Sequence, residues 1–141
     1  IDYALEQGSM FRLTGDYFPS ENIGVGLFAL RTAAEAESFG YTTTTGAGVS
    51  IKGRVRSELS ESMDLLVTPG LGIGYLSTTS DADTVRGLGI TLGLDLRLRT
   101  AGGFDVVLEP GLLWQPTGGN DDSEVTFGPG GYVMVGVGLA F

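Results

Sequence analysis

The chain contains no histidine and no cysteine. Without cysteine there is no disulfide framework and no thiolate metal site. Without histidine the commonest general base and the commonest metal ligand are both missing. Ser-His-Asp and Cys-His catalysis are therefore excluded. Basic residues are scarce too: 8 Lys and Arg stand against 17 Asp and Glu, a net charge of −9. Phosphates are held by Lys and Arg, so no nucleic-acid partner is expected. No run approaches about 18 consecutive apolar residues, which excludes a transmembrane helix. Ile1 to Glu6 has neither a basic segment nor an apolar core of the signal-peptide kind, so an exported chain would be in its mature form.

What the chain does have is glycine: 24 in 141 residues, more than double the usual ~7%. There is no three-residue glycine period, so collagen is excluded. A hydrophobic content of 42% argues against disorder, and the length suits one domain, residues 1–141.

The apolar pattern has period two almost throughout, which predicts strands. From Thr84 to Arg99 the even positions carry Leu88, Ile90, Leu92, Leu94, Leu96 and Leu98. The odd positions carry Gly87, Gly89, Thr91, Gly93, Asp95, Arg97 and Arg99. The same division into a bulky face and a glycine-and-charge face recurs in Tyr41–Val55, Met63–Ser77, Phe104–Gln115 and Val125–Phe141. It recurs more loosely in Met10–Phe18 and Asn22–Arg31. Helical spacing occurs only in Arg31–Glu37, too short to stand as a helix. Seven strands result. Tight turns near Pro19–Glu21, Leu59–Ser62 and Ala101–Gly103 alternate with longer acidic loops near Glu35–Gly40, Thr79–Asp83 and Pro116–Glu124. All long loops then lie at one end of an antiparallel meander. Pro-Gly pairs inside three strands, at Pro69, Pro110 and Pro129, are read as local bends.

Two barrels fit this alternation. A soluble, lipocalin-like barrel turns the bulky face inward; a membrane barrel turns it outward to lipid. An eight-stranded barrel is just wide enough to be filled by side chains, and so many Leu, Ile and Val would overfill it. Glycine and threonine fit. On the bulky face Tyr41, Tyr75, Trp114 and Phe127 lie toward the long loops, and Tyr17, Phe104 and Phe141 toward the short turns. Two aromatic girdles around an aliphatic band suit two membrane interfaces.

The Gly-Asp-Tyr-Phe-Pro-x-x-Asn-Ile-Gly-Val-Gly-Leu hairpin at Gly15–Leu27, the repeated Gly-x-Gly strands and the terminal Phe141 resemble the small bacterial outer-membrane β-barrels. These are eight-stranded and belong to a porin-like superfamily. The resemblance covers nearly the whole chain. It implies an all-β, antiparallel, up-and-down transmembrane barrel of about eight strands in the outer membrane of a Gram-negative bacterium. Outer-membrane lipid and the barrel-assembly machinery would be its partners. Val137, Leu139 and Phe141 match the assembly signal of that family. One departure stands out. Such barrels have an even strand count, whereas seven strands are clear here. Ile1–Glu6 would supply only part of a first strand, joined by a short loop at Gln7-Gly8-Ser9, so a missing or separately supplied strand segment is considered.

The inward parity collects Arg12, Asp16, Lys52, Arg54, Asp64, Asp95, Arg97, Arg99, Asp105 and Glu109 toward the short-turn end. Buried charges must be paired or solvated. A structural plug of salt bridges is expected, with an ion-selective constriction as the other reading. Toward the long loops Phe28, Leu30, Thr44, Leu76, Leu113 and Tyr132 either line a small apolar pocket or simply pack. Glu35, Glu37, Asp81, Asp83, Asp121, Asp122 and Glu124 form an acidic outer rim, and their spacing is too short for a calcium loop. No catalytic residue, metal or cofactor is expected. The leading expectation is a non-enzymatic structural or accessory barrel, with a protein partner at its loops or lipid face. A channel for small or hydrophobic solutes and a soluble binding barrel are the alternatives.

Overall fold

In a computed structural model the backbone is described for residues 2–3, 5–36, 40–79, 84–116 and 126–140. The described residues are all-β. Nine strand segments form one sheet: β1 Asp2–Tyr3, β2 Leu5–Tyr17, β3 Ile23–Ala36, β4 Gly40–Gly53, β5 Val55–Ser60, β6 Met63–Thr79, β7 Thr84–Thr100, β8 Phe104–Gln115 and β9 Thr126–Leu139. Eight of them lie on one path, β1-β9-β8-β7-β6-β4-β3-β2, and β5 pairs with β6 beside it. Only residue 4 separates β1 from β2. The path therefore returns to its start, and the sheet is a nearly closed barrel.

Neighbouring long strands are antiparallel, as expected of hairpins with short turns. The closing contact is different: β1 pairs β9 in parallel, Asp2 with Thr126 and Tyr3 with Phe127. Seven full-length strands force this, because in an odd meander the first and last run the same way. The expected loop at Gln7–Ser9 is absent. β2 runs straight through those residues, and a bulge between Leu5 and Gly8 takes up the irregularity.

The third strand is longer than the sequence pattern indicates. β5 continues β4 in the same register against β6, with a break at Arg54. The break lies opposite Thr68 and Pro69, and a proline has no N–H to give the ladder. The other two Pro-Gly pairs act alike. The β7–β8 ladder skips Leu94 and Asp95 opposite Pro110, and β8–β9 shifts register at Trp114 opposite Pro129. The prolines loosen one ladder each and leave their own strands, β6, β8 and β9, continuous.

Alternation sets the two faces. Phe11, Leu13, Leu27, Val49, Ile51, Ile73, Tyr75, Leu92, Leu112, Trp114 and Val135 all stand outward and exposed. Thr68, Thr91, Asp95, Asp105 and Glu109 point inward and are buried. The core is thus the barrel lumen. Much of its glycine is steric. A Cβ at Gly48 would collide with the Ile73 carbonyl and the Phe28 ring, and one at Gly89 with Leu76. Glycine walls let a few large side chains reach across a narrow interior.

Candidate functional site

The lumen is filled in layers. Nearest the long loops is a polar layer. Thr44 Oγ1 and Thr78 Oγ1 are 2.8 Å apart, Thr78 donates to Gln115 Oε1 at 2.9 Å, and Thr42 donates to the Ala34 carbonyl at 3.1 Å. All four side chains are buried. Below it Phe28, Leu30, Leu76 and Leu113 pack into one apolar cluster, with Met10 and Tyr132 against it. These side chains enter the space that Gly46, Gly48, Gly72 and Gly89 leave free.

The charges occupy the half nearer the short turns, and three groups form. Arg12 of β2 pairs with Glu109 of β8. The Tyr132 hydroxyl on β9 joins them, donating to Glu109 Oε2 at 3.0 Å and accepting from Arg12 Nη1 at 3.4 Å. Lys52 of β4 meets Asp16 of β2 at 2.7 Å. The third group has the most hydrogen bonds. Arg97 holds Asp95 through Nε and Nη2 at 3.2 and 2.8 Å, and reaches Asp105 through Nη1 at 3.2 Å. Arg99 grips the same Asp105 through Nε and Nη2, at 2.9 and 3.0 Å. Asp105 is wholly buried. Two-pronged guanidinium–carboxylate contacts are the strong, geometry-selective kind, and here each oxygen of Asp95 and Asp105 has a donor, which offsets the cost of burying the charges.

Two of the ten sequence candidates stand apart. Asp64 pairs with the exposed Arg56 near the short turns. Arg54 lies at the β4–β5 break, donates Nε to the Glu21 carbonyl at 3.0 Å and stacks 3.9 Å over the Phe18 ring. The remaining eight meet in the three groups above. Sequence reasoning placed Tyr132 in the apolar half and passed over its hydroxyl. β8–β9 pairing sets Tyr132 beside Gly111, two residues from Glu109 and of the same parity. Parity alone carries that hint, but it does not say which strands are neighbours. Arg56 was missed because Tyr41–Val55 was read as ending just before it.

Two cavities adjoin the network. A small one of about 20 Å³ lies between the Arg12–Glu109 pair and Phe28. A larger one of about 620 Å³ lies at the short-turn end, between β2 and the last residues of β9. No group of three or more Asp and Glu able to hold a metal occurs among the described residues. Of the girdle candidates, Tyr17, Tyr75, Phe104 and Trp114 stand outward and exposed. Phe141, the side chains of Glu35, Tyr41 and Phe127, and the rest of the acidic rim from Glu37 to Glu124 lie outside the described residues. Val137 and Leu139 of the expected assembly signal face outward.

The chain matches no known protein family, no curated protein and no solved structure.

Proposed function

We propose that this chain is a transmembrane barrel of a bacterial outer membrane, a non-catalytic structural or accessory component whose lumen is closed by its own side chains. The observation that carries the reading is the direction of the large apolar side chains. They stand outward on every long strand, Leu, Ile and Val between aromatic residues nearer the two ends. Soluble monomers rarely expose contiguous apolar patches above a few hundred Å², whereas lipid rewards such a belt. A lipocalin-like barrel needs the opposite orientation. Tyr75 and Trp114 toward one end, with Tyr17 and Phe104 toward the other, suit two interfaces.

The plug reading rests on the layers. Hydrogen-bonded threonines, the apolar cluster and the three charged groups occupy successive levels of the lumen, which favours a plug over a channel. Outer-membrane lipid and the assembly machinery are the partners this reading implies.

The test is reconstitution. The refolded protein should enter lipid vesicles, resist extraction by alkaline carbonate and run faster on gels unheated than boiled. In planar bilayers it should carry no steady current. Stable solubility without detergent would defeat the membrane reading. Discrete conductance steps would replace the plug with a channel.

A further inference from the structure

We propose that the seam between β2 and β9 is a binding site for one more β-strand, an extended peptide segment running antiparallel to both. Each of these strands is fully laddered on one side only, β2 to β3 and β9 to β8. Between them the sole ladder is the two-residue parallel pairing of β1 with Thr126 and Phe127. From Gly8 to Tyr17, and along β9 beyond Phe127, the facing edges have no ladder partner among the described residues. Unpaired edges are templates for another strand.

The 620 Å³ cavity runs from the lumen, where inward Leu66, Thr68, Asp95 and Arg97 line it, into the seam, where consecutive residues of both parities line it, Arg12 to Phe18 on one side and Val137 to Ala140 on the other. Over another part of their length β2 and β9 come close together, so the seam is widest at the short-turn end. A lumen pocket would touch inward residues alone, so this cavity cuts through the wall. Thr14, Asp16 and Gly136 point inward yet are exposed, unlike Thr68 and Thr91 in the paired wall. Outside, Val135, Val137 and Leu139 of β9 are 74–78% exposed, above Leu27 at 67% and Ile51 at 66% in the paired wall, whereas Leu13 of β2 matches that wall at 67%.

Direction and chemistry of the occupant follow. β2 and β9 run the same way, so one strand running oppositely completes an antiparallel barrel with an even count. A second copy does not: joined head to tail, its β2 would meet this β9 in parallel. Outward positions of the added strand continue the apolar belt. Inward positions face Arg54, Arg97 and Arg99 together with Asp16 and Asp95, and Arg97 and Arg99 are already held by Asp95 and Asp105. Arg54 is the cation left over: it has no carboxylate in ion-pair contact among the described residues, Arg99, Arg56 and Arg97 repel it, and Glu21 alone attracts it from a distance. The occupant is therefore a segment that alternates bulky apolar residues with small or acidic ones.

The full chain has no cysteine, so single cysteines report position cleanly. Leu13→Cys and Val137→Cys place a thiol on either side of the seam, and Ile73→Cys places one on the far wall. The probe is a 12-residue peptide based on the β8 sequence, with Ser in place of the inward Val107 and Leu113 and Cys in place of Pro110, which carries Asp105, Glu109 and Gly111 inward. Its central cysteine is activated as a mixed disulfide. A disulfide forms only when the two Cα atoms come within about 7 Å. In detergent micelles both seam cysteines should capture the peptide at least tenfold more than Ile73→Cys. Replacing both peptide acids by lysine should abolish the preference. Equal capture at all three sites overturns the proposal. So does spontaneous disulfide formation in the Leu13→Cys/Val137→Cys double variant, since the seam would then close on itself. Protection of both cysteines by oleate, with no capture of the peptide, would assign the cavity to an anionic amphiphile instead. These outcomes do not depend on whether the barrel sits in lipid.

Discussion

Replacing Asp105 by alanine removes the most heavily bonded carboxylate in the lumen. It accepts two hydrogen bonds from Arg99 and one from Arg97. Arg97 keeps its two-pronged contact with Asp95, whereas Arg99 is left without a carboxylate partner among the described residues. Deleting one partner of a buried pair costs about 3–5 kcal/mol, because the other charge stays buried and uncompensated. The Arg99 side chain is 26% exposed, so some water reaches it and the lower end, about 3 kcal/mol, is expected for Asp105→Ala. Asp64→Ala is the contrast. Its partner Arg56 is 68% exposed, and pairs of that kind contribute about 0.2–1 kcal/mol. Urea unfolding of the refolded protein in micelles, followed by the fluorescence of the single tryptophan, Trp114, measures both. The Asp105→Ala/Arg99→Met double variant should recover part of the loss, since it removes the orphaned charge. Equal losses for Asp105→Ala and Asp64→Ala would refute the idea that burial of the network, rather than mere ion pairing, holds this end of the barrel.

Four further outcomes are expected. Tyr132→Phe deletes the hydroxyl between Arg12 and Glu109 and should cost about 1.5–3 kcal/mol in the same titration, the range for hydrogen bonds to charged groups. Gly89→Val drives side-chain atoms into Leu76 and should cost about 1–3 kcal/mol by overpacking. Gly136→Val, where a Cβ meets nothing within 4 Å, should fold with an unchanged urea midpoint. Leu92→Arg, midway along β7 on the outward face, should cost about 2–4 kcal/mol in lipid vesicles if the belt is embedded. A loss within about 0.5 kcal/mol would instead indicate a water-facing surface.

Strand periodicity made the two faces readable. The parity of Leu88 to Leu98 against Gly87 to Arg99 is a local property, because successive side chains on any strand point to opposite sides. Hence the inward set of charges could be named before any pairing was known. The partners could not. Arg12 lies 97 residues from Glu109, and Lys52 lies 36 from Asp16. Which charges meet depends on strand order and stagger around the barrel, and no sequence window reports these. The Gln7-Gly8-Ser9 turn was misread for a related reason. Turn-forming residues bend a chain only where no neighbouring strand holds it straight, and β3 holds this stretch in its ladder. The prolines show the same dependence. Their position inside strands was visible, but which ladder each would interrupt followed from the neighbour it faced.

Residue order by itself determined a β-only chain with an apolar side and a glycine-rich side, a charge cluster at one end and no histidine or cysteine chemistry. Those properties rest on side-chain alternation and composition, which need no contact between distant residues. Tertiary structure alone decided that Leu76 and Phe28 cross the lumen over glycine, that Asp105 serves two arginines, and that the barrel closes through two parallel residue pairs. These depend on register and on strand parity around a closed circuit. The odd count leaves β2 and β9 running the same way, and beyond the two parallel pairs of β1 their facing edges have no ladder among the described residues.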